Sequence, residues 1–345
     1  MEVIFVEKVL VGLSGGVDST VCAMLLKQMG YQVIGCTMKL LDGDNADISD
    51  ICKKMDIEYL ELDYMNDFKK EIIDYFASEY NQCRTPNPCV VCNKKFKFGK
   101  FYEYAKDNGI KYIATGHYAK VEYSEKYQRY VLKKSSNLEK DQSYFLYNID
   151  KDILPYVIFP LSDYKSKDEI RNIAKDNGMS VYSKSDSQDI CFIKDNNYKK
   201  FLEDNNYVSD ELGDIILNGN VIGKHTGLYK YTIGQRKGLG VSYEEPLYVT
   251  GFNKDKNELY VGIEKKLYMK TFRVKDYNLL LVDEIKEPIL VDVKVRYKSK
   301  ASKAYIRVID DYIEVNYLEE QKGVTPGQSA VFYIDDIVLG GGIIE

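Results

Sequence analysis

No apolar run in this chain approaches the length of a membrane span. The first residues carry Glu2, Glu7 and Lys8 among short apolar stretches and lack the layout of a signal peptide. The seven cysteines are odd in number and form no dense disulfide framework, so some are expected to be chemical rather than structural. A cytoplasmic protein with no membrane partner is the expectation. Histidine is scarce, with only His117 and His225. Basic charge is not in excess either: the net charge is −5, which by itself suggests no nucleic-acid partner. That charge is uneven, however. Lys294, Arg296, Lys298, Lys300, Lys303 and Arg307 follow one another without an intervening acid, as a solvated strand face or an anion-binding surface would.

The 345 residues favour two or three domains and can bury a core without staples. The first half alternates short apolar runs with helical patterns. Strands are expected at Lys8–Leu13, Gln32–Thr37, Glu58–Leu62 and Lys111–Thr115, with helices at Ser19–Met29, Ile48–Met55 and Asp67–Tyr80. This alternation implies βαβ units and a parallel sheet. Beyond about Gly178 only Tyr198–Glu203 looks helical. Short alternating runs take over at Asp214–Leu217, Val221–Lys224, Leu247–Phe252 and Glu258–Gly262, and Asn218-Gly219 signals a hairpin. The expected organisation is an α/β domain over residues 1–205, a small β domain over 206–270 and a final β domain over 271–345.

A strand leads into Gly12-Leu13-Ser14-Gly15-Gly16-Val17-Asp18-Ser19, which opens a helix. Glycines let the backbone approach a ligand, and a helix start presents free N–H groups and a positive dipole end to an anion. The lysine of a Walker A loop is missing. The run resembles the loop of the PP-loop ATP pyrophosphatases, which split ATP between its α and β phosphates. That resemblance implies ATP and Mg²⁺ as cofactors, with Asp18 helping to hold the metal. Met38 ends the second strand, where a doubly wound sheet lines its ligand crevice, and could pack on adenine or simply be core. Gly116 and His117 end a further strand. His117 reads equally as a structural histidine.

Cys83-Arg84-Thr85-Pro86-Asn87-Pro88-Cys89-Val90-Val91-Cys92 places two prolines before a Cys-x-x-Cys, and the prolines predict an extended loop. Lys94, Lys95, Lys97 and Lys100 follow. Ser187-Gln188-Asp189-Ile190-Cys191 is a third cysteine segment. A redox pair at Cys89 and Cys92 is one alternative. Structural zinc is weaker, because no second Cys-x-x-Cys exists. Cys22, Cys36 and Cys52 fall in apolar patterns and read as core.

Together the SGGVDS loop, the Cys83–Cys92 segment, Gly116-His117, Lys140-Asp141-Gln142-Ser143-Tyr144-Phe145-Leu146, the Cys191 segment and Gly234-Gln235-Arg236-Lys237-Gly238-Leu239-Gly240 resemble the bacterial tRNA-specific 2-thiouridylases, in order from about Lys8 to the end. The resemblance implies an N-terminal PP-loop domain, a small central β domain and a C-terminal β-barrel. It implies adenylation of the C2 oxygen of the wobble uridine in tRNAs for Lys, Glu and Gln, followed by replacement of that oxygen with sulfur. Cys191 would carry a persulfide received from a cysteine desulfurase or sulfur-relay protein, and Cys92 would attack it. Asn87, Pro88 and Cys89 match the loop that meets the base. His117, Lys140, Asp141, Gln142, Arg296, Tyr297 and Gln328 match tRNA contacts. Some members have Asp where this chain has Cys89. Three thiols, Cys89, Cys92 and Cys191, could instead hold a [4Fe–4S] cluster, and both readings stay open at this point.

Overall fold

The computed structural model describes residues 6–42, 48–183 and 190–345. Ser187, Gln188 and Asp189 of the third cysteine segment lie outside the described residues. No described helix is long and apolar enough to cross a membrane.

The first unit runs β1 (Lys8–Gly12), α1 (Val17–Gln28), β2 (Gln32–Lys39), α2 (Ile48–Met55), β3 (Glu58–Asp63). A helical stretch follows: α3 (Met65–Phe68), a π turn (Lys69–Ile73) and α4 (Asp74–Asn81). A second stretch is α5 (Pro88–Cys92), a π turn (Asn93–Lys100) and α6 (Phe101–Asp107). Next come β4 (Tyr112–Ala114), the hairpin β5 (Ala119–Ser124) and β6 (Arg129–Lys134), β7 (Val157–Ile158), α7 (Lys167–Asp176) and α8 (Tyr198–Asp204). The order β3-β2-β1-β4-β7 is parallel at every pairing, as the βαβ alternation predicts. Helix α1 is buried on all sides from Val17 to Leu26 rather than on one face. Its second apolar side packs against Ile170 and Ala174 of α7, so it lies inside the layer.

Residues 84–87 form the open segment that the prolines predict before the Cys-x-x-Cys. Pro88 is the first residue of α5, where its missing N–H has no helical partner to lose, so Cys89 and Cys92 stand on a helix.

The central sheet has the order β10-β11-β8-β9, from β8 (Gly213–Leu217), β9 (Asn220–His225), β10 (Tyr248–Asn253) and β11 (Glu258–Gly262), with Asn218-Gly219 at the β8–β9 turn. The last six strands are β12 (Met269–Leu279), β13 (Ile289–Lys294), β14 (Ser302–Ile309), β15 (Tyr312–Gln321), β16 (Ser329–Ile334) and β17 (Ile337–Ile344). They run β12-β15-β14-β13-β16-β17 and close through a β12–β17 pairing, which removes the sheet edges. The β5–β6 hairpin, early in the chain, joins this barrel sheet beside β17 through Lys133 and Ile337. The first unit and the barrel therefore share a core, in which Tyr144 and Tyr147 meet Val331, Tyr333 and Val338.

The turn before β16 clamps the segment ahead of Pro88. Thr85 N–H donates to Pro326 O at 2.8 Å. Gly327 has φ of 89°, and a Cβ there would stand 2.8 Å from Thr85 N. Gly327→Ala is therefore expected to lower stability by about 1–3 kcal/mol through the left-handed backbone and this clash. Thermal denaturation checks this; an unchanged melting temperature would show that the turn tolerates a side chain.

Candidate active site

Strand β1 delivers the Ser14–Ser19 loop to the carboxyl end of the sheet, where open α/β sheets bind ligands. The loop is braced from within. Ser14 N–H donates to Ser19 Oγ at 3.2 Å, and the Ser19 and Thr20 hydroxyls donate to Gly16 O at 3.1 and 3.0 Å. Leu13 N–H reaches Cys36 O on β2 at 2.8 Å. Met38 lies beside Gly12, its methyl 3.7 Å from where a Cβ would be, and remains half-exposed at the crevice. Gly116 closes the other wall. A Cβ on it would stand 2.8 Å from Asp18 C and 2.9 Å from Ser19 N, so β4 can meet the start of α1 only through glycine.

Asp18 does not face open solvent. Its Oδ1 accepts from the Tyr118 hydroxyl at 2.8 Å and its Oδ2 from Lys167 Nζ at 2.5 Å. Lys167 is placed by a capping box, with Ser166 and Glu169 fixing the first turn of α7. Sequence reading missed both partners, 100 and 149 residues from Asp18 along the chain. The Ser-x-x-Glu signature marks the helix start but not where Lys167 reaches.

His117 sits between the Phe98 and Phe159 rings, with Nδ1 2.7 Å from Thr115 Oγ1. Burial, aided by the Lys97 charge, holds its pKa well below the ordinary histidine value, so it is neutral at physiological pH.

The cysteine segment is fixed from the barrel side. Gln328 Nε2 donates to Thr85 O at 2.9 Å and Pro86 O at 3.3 Å. Arg84 pairs with Glu79 at 2.9 Å and also donates to Ile344 O. The Asn87 side chain hydrogen-bonds the Tyr144 hydroxyl, which donates to Ser329 O at 2.9 Å. Behind Cys92, Asn93 is 2% exposed. Its amide donates to Phe145 O at 3.0 Å, while its Oδ1 is buried without a partner.

Cys92 is buried, Cys89 half-buried and Cys191 exposed. Burial raises the Cys92 and Cys89 thiols above their ordinary pKa; Lys97 opposes the rise at both. Phe192 and Ile193, which follow Cys191, pack in the same apolar cluster as Cys92. Among the described residues no three His, Cys, Asp or Glu side chains gather around a single metal-ion position. Cys22, Cys36 and Cys52 are buried core thiols.

The remaining sequence-expected contacts are mostly engaged within the protein. Asp141 is buried and accepts from Ser135 N, Ser143 N and Ser143 Oγ. Gln142 exchanges hydrogen bonds with the Tyr118 backbone. Lys140 is half-exposed beside them. Tyr297 packs on Phe145, ring centroids 4.6 Å apart. Arg296 donates to Gly323 O at 3.0 Å, Thr325 Oγ1 at 2.7 Å and Ile233 O at 3.4 Å, tying the central domain to the barrel turn. In the basic stretch Lys303 pairs with Asp292 and Arg307 with Glu314, which leaves Lys298 and Lys300 as its exposed lysines outside these pairs.

A nucleotide loop, a pair of helix-borne thiols and a barrel holding the segment between them define a class: PP-loop, ATP-using enzymes with appended β domains. Comparison with known proteins agrees. Residues 7–195 match a family described as tRNA methyl transferase HUP domain, 199–263 its PRC-barrel domain and 269–344 an aminomethyltransferase beta-barrel domain. The tRNA-specific 2-thiouridylase MnmA of Clostridioides difficile strain 630 is 44% identical over 98% of both chains. That of Acetivibrio thermocellus is 42% identical over 98% of this chain and 99% of its own. The chain belongs to the tRNA-specific 2-thiouridylase MnmA family. Solved structures match loosely. NMN synthetase from Francisella tularensis has a TM-score of 0.32 at 15% identity, over 52% of this chain and 66% of that one. A 4-thiouridine synthetase–RNA complex with bound ATP has 0.36 at 18%, over 54% and 45%. Scores this low carry no weight here.

The raised Cys92 thiol gives a test of the site's electrostatics. Alkylation of Cys92 by iodoacetamide, followed by mass spectrometry against pH, should titrate above an ordinary cysteine. A midpoint below the ordinary value would mean that Lys97 outweighs burial.

Proposed function

We propose that this protein is an ATP-dependent tRNA 2-thiouridylase acting on the wobble uridine of tRNAs for Lys, Glu and Gln. The observation that carries the reading is the shared wall. The β4 end bearing Gly116 and His117 borders the PP-loop on one side, and through Phe98 it packs on the helical stretch that carries Cys89 and Cys92 on the other.

The uracil C2 oxygen is a poor leaving group. Its attack on the α-phosphate of ATP breaks the bond to pyrophosphate, which departs with the electron pair, and the N3 proton passes to solvent. The loop N–H groups and the α1 dipole receive the phosphates. Asp18 would hold Mg²⁺ on the pyrophosphate. One carboxylate beside phosphate oxygens suits that ion, which supplies charge neutralisation when bound. Lys167 keeps the Asp18 carboxylate paired when ATP is away. The base reaches the site unstacked, at little cost from a single-stranded anticodon loop, and meets Asn87, Pro88 and Cys89.

Sulfur arrives at Cys191, whose exposure lets a cysteine desulfurase or relay protein load a persulfide. The Cys92 thiolate attacks the Cys191 sulfur, forming a Cys92–Cys191 disulfide and releasing hydrosulfide. Hydrosulfide adds at C2, and the C2–O bond breaks with AMP as the leaving group. A cellular thiol then reduces the disulfide. The [4Fe–4S] alternative would use Cys89, Cys92 and Cys191 as its ligands, and no step is assigned to it. Lys298, Lys300 and Lys140 are the proposed tRNA phosphate contacts, while Arg296 and Gln328 act by holding the cysteine segment.

Cys92→Ser and Cys191→Ser should each abolish thiolation while ATP binding stays within about twofold, because neither thiol lies on the nucleotide. Wild-type turnover in either variant would remove that thiol from the mechanism. The nucleotide products should be AMP and pyrophosphate; ADP and phosphate would refute the reading. Asp18→Asn should slow adenylation at least roughly tenfold, read as pyrophosphate release. tRNA affinity should fall by roughly tenfold or more between about 50 and 200 mM salt. A flat dependence, measured by filter binding, would contradict phosphate contacts.

A further inference from the structure

Lys97 differs from the other lysines of its run. Lys94 donates to Asn148, Lys95 pairs with Glu71, and Lys100 pairs with Asp67 and Glu71. Lys97 makes no such pair among the described residues and is half-buried. An ammonium brought partly out of water without a carboxylate is costly unless an anion visits it.

The backbone explains where it points. In an α-helix residue 97 would lie roughly 140° around the cylinder from residue 92. The stretch Asn93–Lys100 is a π turn, and Phe101 N–H donates to Phe96 O, five residues back. The wider turn carries residue i+5 back toward the face of residue i. As a result one cation acts electrostatically on Cys89, Cys92 and His117 together. His117 follows Gly116, which touches the backbone of Asp18 and Ser19. Lys97 therefore stands on the helical stretch that follows Cys89 and Cys92, next to Phe98, whose ring packs on His117 at the wall of the nucleotide loop.

An adenylated uracil has to reach from that loop to the thiols. Its adenosine belongs to the nucleotide crevice, its C2 carbon to the sulfur side, and the anionic phosphate lies between them. We propose that Lys97 is a further catalytic residue whose ammonium binds this phosphate, stabilising charge as uracil O2 bonds to phosphorus and again as AMP departs. The assignment rests on the adenylation reading above.

The test is single-turnover pyrophosphate release from ATP in the full-length protein, with unthiolated tRNA present and sulfur withheld. ATP and tRNA affinities are measured in parallel. Lys97→Met should slow release by roughly 10²-fold, the usual scale for losing one charge-stabilising group, with both affinities within about twofold of wild type. Lys97→Arg should recover part of the rate. Lys97→Gln is measured alongside, so that the outcome does not depend on one variant folding. Wild-type rates in Lys97→Met or Lys97→Gln would overturn the assignment while adenylation stands, as would a loss fully explained by weaker ATP or tRNA binding. No tRNA-dependent pyrophosphate release from wild type would overturn the adenylation reading itself, and the Lys97 assignment with it.

Discussion

The active-site geometry depends on the contact between the barrel turn and the Arg84–Pro86 segment. That segment has no regular backbone partners of its own. Thr85 N–H, Thr85 O and Pro86 O are all satisfied by Pro326 and Gln328, and buried backbone groups left unpaired would each cost on the order of 1–3 kcal/mol. Arg296 holds the same turn through Gly323 and Thr325 and reaches Ile233 in the central domain. Three parts of the chain thus converge on the residues that enter the cysteine helix. The barrel contributes position to the active site.

Electrostatics divide the site into two halves. On the nucleotide side Asp18 is paired with Lys167 and Tyr118, so its charge is balanced before ATP arrives. On the sulfur side burial favours neutral Cys89 and Cys92 thiols and a neutral His117, and the Lys97 charge acts on all three. Keeping buried thiols protonated limits their oxidation. Cys191 is exposed, whereas Cys92 is buried.

Much of the fold was legible in the chain. The βαβ alternation marked the parallel sheet, and Asn218-Gly219 the β8–β9 hairpin of the central sheet, because both signals are local. The β5–β6 hairpin was not legible: β5 alternates from Ala119 to Ser124, but Val131-Leu132 and Lys133-Lys134 break the alternation of β6, and its sheet partner β17 lies some two hundred residues away. The two prolines marked the open segment before the Cys-x-x-Cys, but not that Pro88 starts the helix carrying Cys89 and Cys92. The SGGVDS loop was readable because its chemistry is contiguous. Lys167 and Tyr118 were not, because they meet Asp18 only in three dimensions. The basic stretch was legible as a run of charge but its pairing was not, since the acids that meet Lys303 and Arg307 come from neighbouring strands.

The central claim is that this chain exchanges oxygen for sulfur at C2 of a tRNA uridine. The most direct measurement is nucleoside mass spectrometry of unthiolated tRNA for Lys, Glu or Gln after incubation with the purified protein, ATP and hydrosulfide. The account predicts 2-thiouridine at the wobble position, formed only when ATP is present. Recovery of unmodified uridine, or of sulfur at another position or base, would contradict it.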